Sequence, residues 1–142
     1  MATSRIEFFL ALAPRPAARP RSVCRGKFAT VYMEPAYREW MEKAKLLLEP
    51  LRPYKITRPH TGDVRIDVTA VVEKPKKTVK VRPKGDTDNF LKGIYDAITH
   101  VKGFWEDDDQ VIGPVTEAPW KRWSTGPEDP PGYHIRIEFL DT

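Results

Sequence analysis

The chain has 142 residues, 40% of them apolar, a length that fits one domain (1–142) with its own core, and no apolar run approaches the ~20 residues that span a bilayer. One cysteine, Cys24, excludes an internal disulfide framework and a Cys-cluster zinc site and suits a reducing cytoplasm, while His60, His100 and His134 are scattered without ligand spacing. The net charge of +4 is unevenly spread: residues 1–85 hold 19 Lys+Arg against 8 Asp+Glu, and residues 86–142 hold 5 against 12, which points to a polyanion-binding surface around an acidic metal site, the alternative being a solvated surface of uneven charge.

The apolar stretch Ile6 to Leu12 reads as a first strand rather than a signal peptide, ended by Pro14 and Pro16. Residues 14–29 read as a long loop. They carry Arg15, Arg19, Arg21, Arg25 and Lys27 and no acid, a composition that grips phosphates or simply stays solvated. Pro35 opens a helix that runs to Leu48, with Glu34 before its positive end. Ala36, Tyr37, Trp40, Met41, Ala44, Leu47 and Leu48 repeat at helical spacing, so Trp40 is expected in the core and not on a base-stacking surface. Residues 50–62 connect to a β-branched, alternating strand from Val64 to Glu73.

Residues 74–85 follow, with Lys74, Lys76, Lys77, Lys80, Arg82 and Lys84 and no acid. This is an exposed basic loop placed directly before Asp86, and its lysines and arginine are candidate DNA contacts. It lacks interleaved aromatics, so backbone and shape recognition is expected more than base reading. A second helix spans about Asp88 to Thr99, with Asp86 or Asp88 as N-cap and Phe90, Leu91, Ile94, Ala97 and Ile98 as its buried face. Asp88, Lys92 and Asp96 are four apart on the opposite face, a spacing that also suits surface ion pairs.

Trp105 is expected to pack the turn after this helix against the core. Asp107, Asp108 and Asp109 form that turn. A helix C-terminus is already partly negative, so a compensating cation is expected nearby. A strand from Val111 to Thr116 comes next, with Trp120 and Trp123 on or beyond its continuation. A Pro-rich loop and a closing strand from Tyr133 to Leu140 complete an α+β fold with a mixed β-sheet and two main helices. Carboxylates crowded like Asp86, Asp88 and the acidic turn repel one another unless a cation sits among them, and oxygen-only clusters suit Mg²⁺ or Mn²⁺. These residues alone point to a Mg²⁺-dependent nuclease.

Asp86-x-Asp88-Asn89-x-x-Lys92, Asp96-Ala97 and Trp105-x-Asp107-Asp108-x-Gln110-Val111 together resemble the RusA family of Holliday junction resolvases, in residues and in the spacing between blocks. Arg19-Pro20-Arg21, Gly26 and Tyr32 resemble the amino-terminal region of RusA-like proteins more loosely. The resemblance implies a homodimer and Mg²⁺-dependent cleavage of branched DNA, in bacteria or their phages. Carried over by position, it implies that Asp86, Asp88 and Asp108 hold metal, that Lys92 is the catalytic lysine, and that Asp107 shares the acidic turn. Asp109 is an extra acid there. Resolution of four-way junctions by paired nicks is the activity expected. Cleavage of forks or flaps, and DNA binding without cleavage, are the alternatives.

Overall fold

Three long strands with alternating side chains build one sheet, and two amphipathic helices cover one of its faces. The structure, a computed structural model, describes residues 3–15, 21–25, 28–32, 35–83 and 87–140. Along the chain it comprises β1 (Thr3–Leu10), β2 (Arg21–Arg25), β3 (Phe28–Tyr32), α1 (Pro35–Leu48), β4 (Val64–Val72), α2 (Thr87–Val101), β5 (Val111–Gly113), β6 (Lys121–Trp123) and β7 (Gly132–Leu140). The sheet is mixed and the fold is α+β. Strand β7 lies between β1 and β4 and is antiparallel to both, while β5 and β6 run parallel to β4 on its other edge. Every residue of β4 from Ile66 to Val71 is buried, which explains its nearly continuous β-branched and small apolar run.

The register fixes two different faces. Ile6, Phe8 and Leu10 stand opposite Ile137, Ile135 and Tyr133, which in turn stand opposite Ile66, Val68 and Ala70. These residues join Tyr37, Trp40, Ala44 and Leu48 of α1 and Ile94, Ala97, Ile98 and Val101 of α2 in a single core. Trp40 stacks on Tyr37, meets Tyr133 edge-on and donates its indole N–H to the Ala13 carbonyl at 3.0 Å, as expected of a core residue. Leu47, expected on the same face, is 37% exposed, because the buried stripe has narrowed to one residue per turn by the last turn of α1. The other face of the sheet carries polar rows. Glu7, Arg136 and Asp67 form one, and Arg5, Glu138 and Arg65 another.

Three expectations are corrected. The basic stretch 14–29 is not all loop: β2 pairs antiparallel with β3, from Arg21 opposite Tyr32 to Arg25 opposite Phe28. A strand there pairs its backbone with a β-branched and aromatic partner, whatever the charge of its ends. The strand expected from Ile6 to Leu12 starts and ends earlier, and beyond it the Leu12 amide turns back onto the Leu10 carbonyl at 2.9 Å. The strand expected from Val111 to Thr116 stops at Gly113: Pro114 has no amide to offer the ladder, and the Asp67 carboxylate takes the two amides that follow, accepting from Val115 N at 2.9 Å and Thr116 N at 3.1 Å. Strand β6 then resumes on the same edge of β4, with Ala70 opposite Lys121.

Helix α2 ends where Lys102 and Gly103 take positive φ values of 59° and 100°. The cation expected near this end is Arg52, whose guanidinium donates to the carbonyls of Lys102 at 2.9 Å and Val101 at 3.0 Å. A β-carbon on Gly103 would fall 2.8 Å from Arg52 Cδ and 2.9 Å from the Tyr54 carbonyl oxygen. Gly103→Ala is therefore expected to destabilise the fold by about 1–3 kcal/mol in urea unfolding. Gly113→Ala, where nothing lies within 4 Å of the new atom, is the control and should change stability little.

Candidate active site

The acidic turn lies beside the carboxyl-terminal half of α2, and two side chains hold it there. Trp105 is fully buried, and its indole N–H donates to Thr99 Oγ1 at 2.7 Å. The Thr99 hydroxyl in turn donates to the Tyr95 carbonyl at 2.9 Å, and the Tyr95 ring meets Trp105 edge-on at 6.0 Å. Trp105 thus packs the turn against the core, as expected from its place in the sequence. Gln110 provides the second hold. Its Oε1 accepts from the amides of Glu106 at 2.7 Å and Asp107 at 3.0 Å, and its Nε2 donates to the carbonyls of His60 at 2.9 Å and Gly62 at 2.8 Å. One amide side chain therefore closes the turn on itself and ties it to the connection before β4.

Within this frame Asp108 opens a single 3-10 turn, Asp108–Gln110, that leads into β5. Its carboxyl pKa is raised, first by burial, then by a hydrogen bond with Asp107 and by the negative charges of Asp107 and Asp96, with Lys92 acting in the opposite sense. The electrostatic coupling groups Asp96 and Lys92 of α2 with Asp107 and Asp108 of the turn. Lys92 Nζ is 3.8 Å from Asp96 Oδ2, a long and exposed pair worth little to stability. The Tyr95 hydroxyl pKa is also raised, by burial first and then by the charges of Asp108 and Asp67.

Asp88 is the second residue of α2. Its side chain, Asp86 and Lys84 lie outside the described residues, as do Arg19 and the side chain of Arg21. Among the described residues no group of three or more His, Cys, Asp or Glu could hold a metal ion, a set that omits Asp86 and the Asp88 carboxylate. Lys76, Lys77, Lys80 and Arg82 are all exposed on the arm that joins β4 to α2. The indole N–H of Trp123 donates to the Lys80 carbonyl at 3.0 Å and fastens this arm to β6.

The family model of endodeoxyribonuclease RusA matches residues 11–138. The chain belongs to the RusA endodeoxyribonuclease family. A comparison with curated proteins finds no match. Membership in the RusA family makes the chain a DNA endonuclease by descent. No helix among the described residues is long and apolar enough to cross a membrane.

Several residues that shape this RusA-family site carry no signal of their role in the sequence. Asp67 is an acid in the middle of an apolar strand, 6% exposed, and its carboxylate binds two amides and the Thr116 hydroxyl, with Arg136 Nη1 3.6 Å away. Asp67 sits at a polar position of the β4 alternation, which does not show that it is buried. Arg52 acts through backbone groups distant in sequence, which no local pattern shows, and Gln110, a residue of the family motif, adds two distant carbonyls to its local bonds.

Two outcomes test this geometry. Gln110→Leu leaves two amides and two carbonyls without their partner, and should lower stability by about 1–3 kcal/mol in urea unfolding. Asp108→Asn tests the electrostatics. A carboxyl whose folded pKa lies above its unfolded value costs stability when ionised, in full above the folded pKa and not at all below the unfolded one. In metal-free buffer at neutral pH the variant should therefore melt at a higher temperature than the wild type. That advantage should disappear as pH falls below the ordinary carboxylate range. An advantage that persisted in acid would remove the charge explanation.

Proposed function

We propose that the protein is a Mg²⁺-dependent endonuclease selective for branched DNA, resolving four-way junctions by paired nicks. The observation that carries this reading is the shared electrostatics of Asp96, Asp107, Asp108 and Lys92 beside α2, in a chain of the RusA family. Asp108 is held with a raised pKa beside other carboxylates, and carboxylate oxygens are the donors that suit a small hard cation. Asp86, Asp88 and Asp108 are the residues that would hold Mg²⁺, with Mn²⁺ as a substitute and Asp107 adjoining. When bound, the ion supplies neutralisation of phosphate charge and acidification of water.

The remaining work falls to the chain. Lys92, exposed on the polar face of α2, can reach a phosphate oxygen and stabilise charge as the phosphodiester breaks. Lys76, Lys77, Lys80, Arg82 and Lys84, with Arg19 and Arg21, bind the phosphates of the arms and orient the strand over the acids. Trp105 and Gln110 keep the acidic turn from swinging away when its charges are unneutralised. Paired incision needs two equivalent sites, and a two-fold homodimer would present them to a junction of near two-fold symmetry.

Asp86→Asn should reduce cleavage of a labelled four-way junction in Mg²⁺ by roughly three orders of magnitude or more, while leaving junction binding in EDTA intact. Junction, fork and linear duplex assayed side by side decide the substrate. Nicks at wild-type rate by the variant would remove the acid cluster from the chemistry.

A further inference from the structure

The arm between β4 and α2 carries an apolar feature that phosphate binding does not use. Val79 is 96% exposed and Val81 is 85% exposed. Lys80 lies between them and Arg82 follows, both exposed. Of residues 73–83 only Glu73 is acidic.

The arm is held in place around these valines. The Thr78 amide turns back onto the Pro75 carbonyl at 3.2 Å, and the Lys80 amide donates to Thr78 Oγ1 at 3.3 Å. The Lys80 carbonyl accepts the Trp123 indole N–H, and Pro83 is buried. Anchors therefore flank the valines on both sides. Two β-branched side chains kept in water on a fastened, strongly cationic arm call for an anionic partner with an apolar interior within reach.

We propose that Val79 and Val81 form an apolar wedge that enters the unstacked bases at a DNA branch point while Lys80 and Arg82 hold the flanking phosphates. This rests on the branched-DNA reading above and assigns its selectivity to particular side chains. Stacked bases expose their apolar faces only where the stack is broken. In linear duplex a wedge must first break a stack, and that cost is comparable with what two valines recover from burial. At a branch point the stack is already interrupted, so the same burial becomes a net gain. The position of the arm agrees: it leads directly into α2, where Asp88 stands in the first turn. A nucleic acid fits better than a lipid surface, since two valines make a small anchor and the chain belongs to a DNA endonuclease family.

The test compares the full-length wild type with the double variant Val79→Ser/Val81→Ser. Binding of an immobile four-way junction and of a linear duplex is measured by anisotropy in EDTA across a salt series. A 2-aminopurine at the branch point reports unstacking, and junction cleavage in Mg²⁺ is followed in parallel. Both positions are exposed, so the variant should fold, and its melting temperature checks this.

The junction Kd should rise roughly tenfold, the duplex Kd should stay within about twofold, and the salt slope should not change. The 2-aminopurine signal induced by the wild type should be lost. Lys80→Ala/Arg82→Ala should instead weaken junction and duplex together and flatten the salt slope. Equal weakening of both DNAs by the valine variant, or no weakening on the junction, overturns the wedge. Loss of self-association with junction binding intact overturns it too, and assigns the valines to a second copy of the chain. If the wild type cleaves junctions and the valine change does nothing, only the wedge falls. If the wild type cleaves no DNA, the endonuclease reading falls, and the binding and 2-aminopurine arms still decide the wedge.

Discussion

The buried indole of Trp105 is the contact on which the candidate site depends. Three consecutive aspartates at the end of a helix repel one another and the helix terminus, and nothing in their own chemistry keeps them near the face of α2 that carries Lys92 and Asp96. The driving force comes from elsewhere. Burying a tryptophan removes a large apolar surface from water, and its N–H is satisfied by the Thr99 hydroxyl, itself bonded to the Tyr95 carbonyl. Turn and helix are thereby in fixed registry. Gln110 restrains the other end of the turn through four backbone groups, two on each side of its amide. Arg52 takes the last carbonyls of α2, so the acids do not stand against bare helix ends. Charge repulsion of modest size is thus held by hydrophobic burial and by hydrogen bonds placed outside the acids themselves.

The same division of labour appears at the edge of the sheet. Asp67 interrupts an apolar strand and could have been an expensive buried charge, yet it accepts from Val115, Thr116 and the Thr116 hydroxyl. Together with Pro114, which has no amide to give, it ends β5 after three residues, and β6 begins again farther along β4. That break matters to the site because β6 carries Trp123, which fastens the cationic arm through the Lys80 carbonyl. A single continuous edge strand would have directed these residues differently. The carboxylate of Asp67 therefore bears indirectly on where the arm runs before it enters α2.

Much of this is legible in periodicity. Helix α1 has the bounds its residues announce, since Pro35 opens it and the spacing of Tyr37, Trp40, Ala44 and Leu48 is unmistakably helical. The core strands β4 and β7 show themselves through β-branched alternation, and the acids, Lys92 and Trp105 at their fixed spacing from Asp86 to Val111 point to the RusA family. The β2–β3 ladder is hidden because prolines and arginines dominate the composition of residues 14–29 and conceal the short run that follows. The early end of β5 is marked in the sequence by Pro114, while the distant carboxylate that takes the amides after it leaves no local sign. Asp86 and the Asp88 side chain lie outside the described residues, so their place in the site rests on family membership and spacing.

Long-range polarity connects these elements. The cationic amino-terminal half supplies the arm that precedes α2, and the acidic carboxyl-terminal half supplies the turn that follows it. For a nuclease this opposition is useful. A site made only of lysines would bind DNA well and have no place for a cation, while a site made only of aspartates would turn the backbone away. Under the proposed reading the arm would carry the affinity and the acids would be left to receive a cation. The Asp108 carboxyl is raised first by burial and then by the carboxylates beside it. The fold holds a charge it would shed at lower pH, in exchange for a position beside other carboxylates.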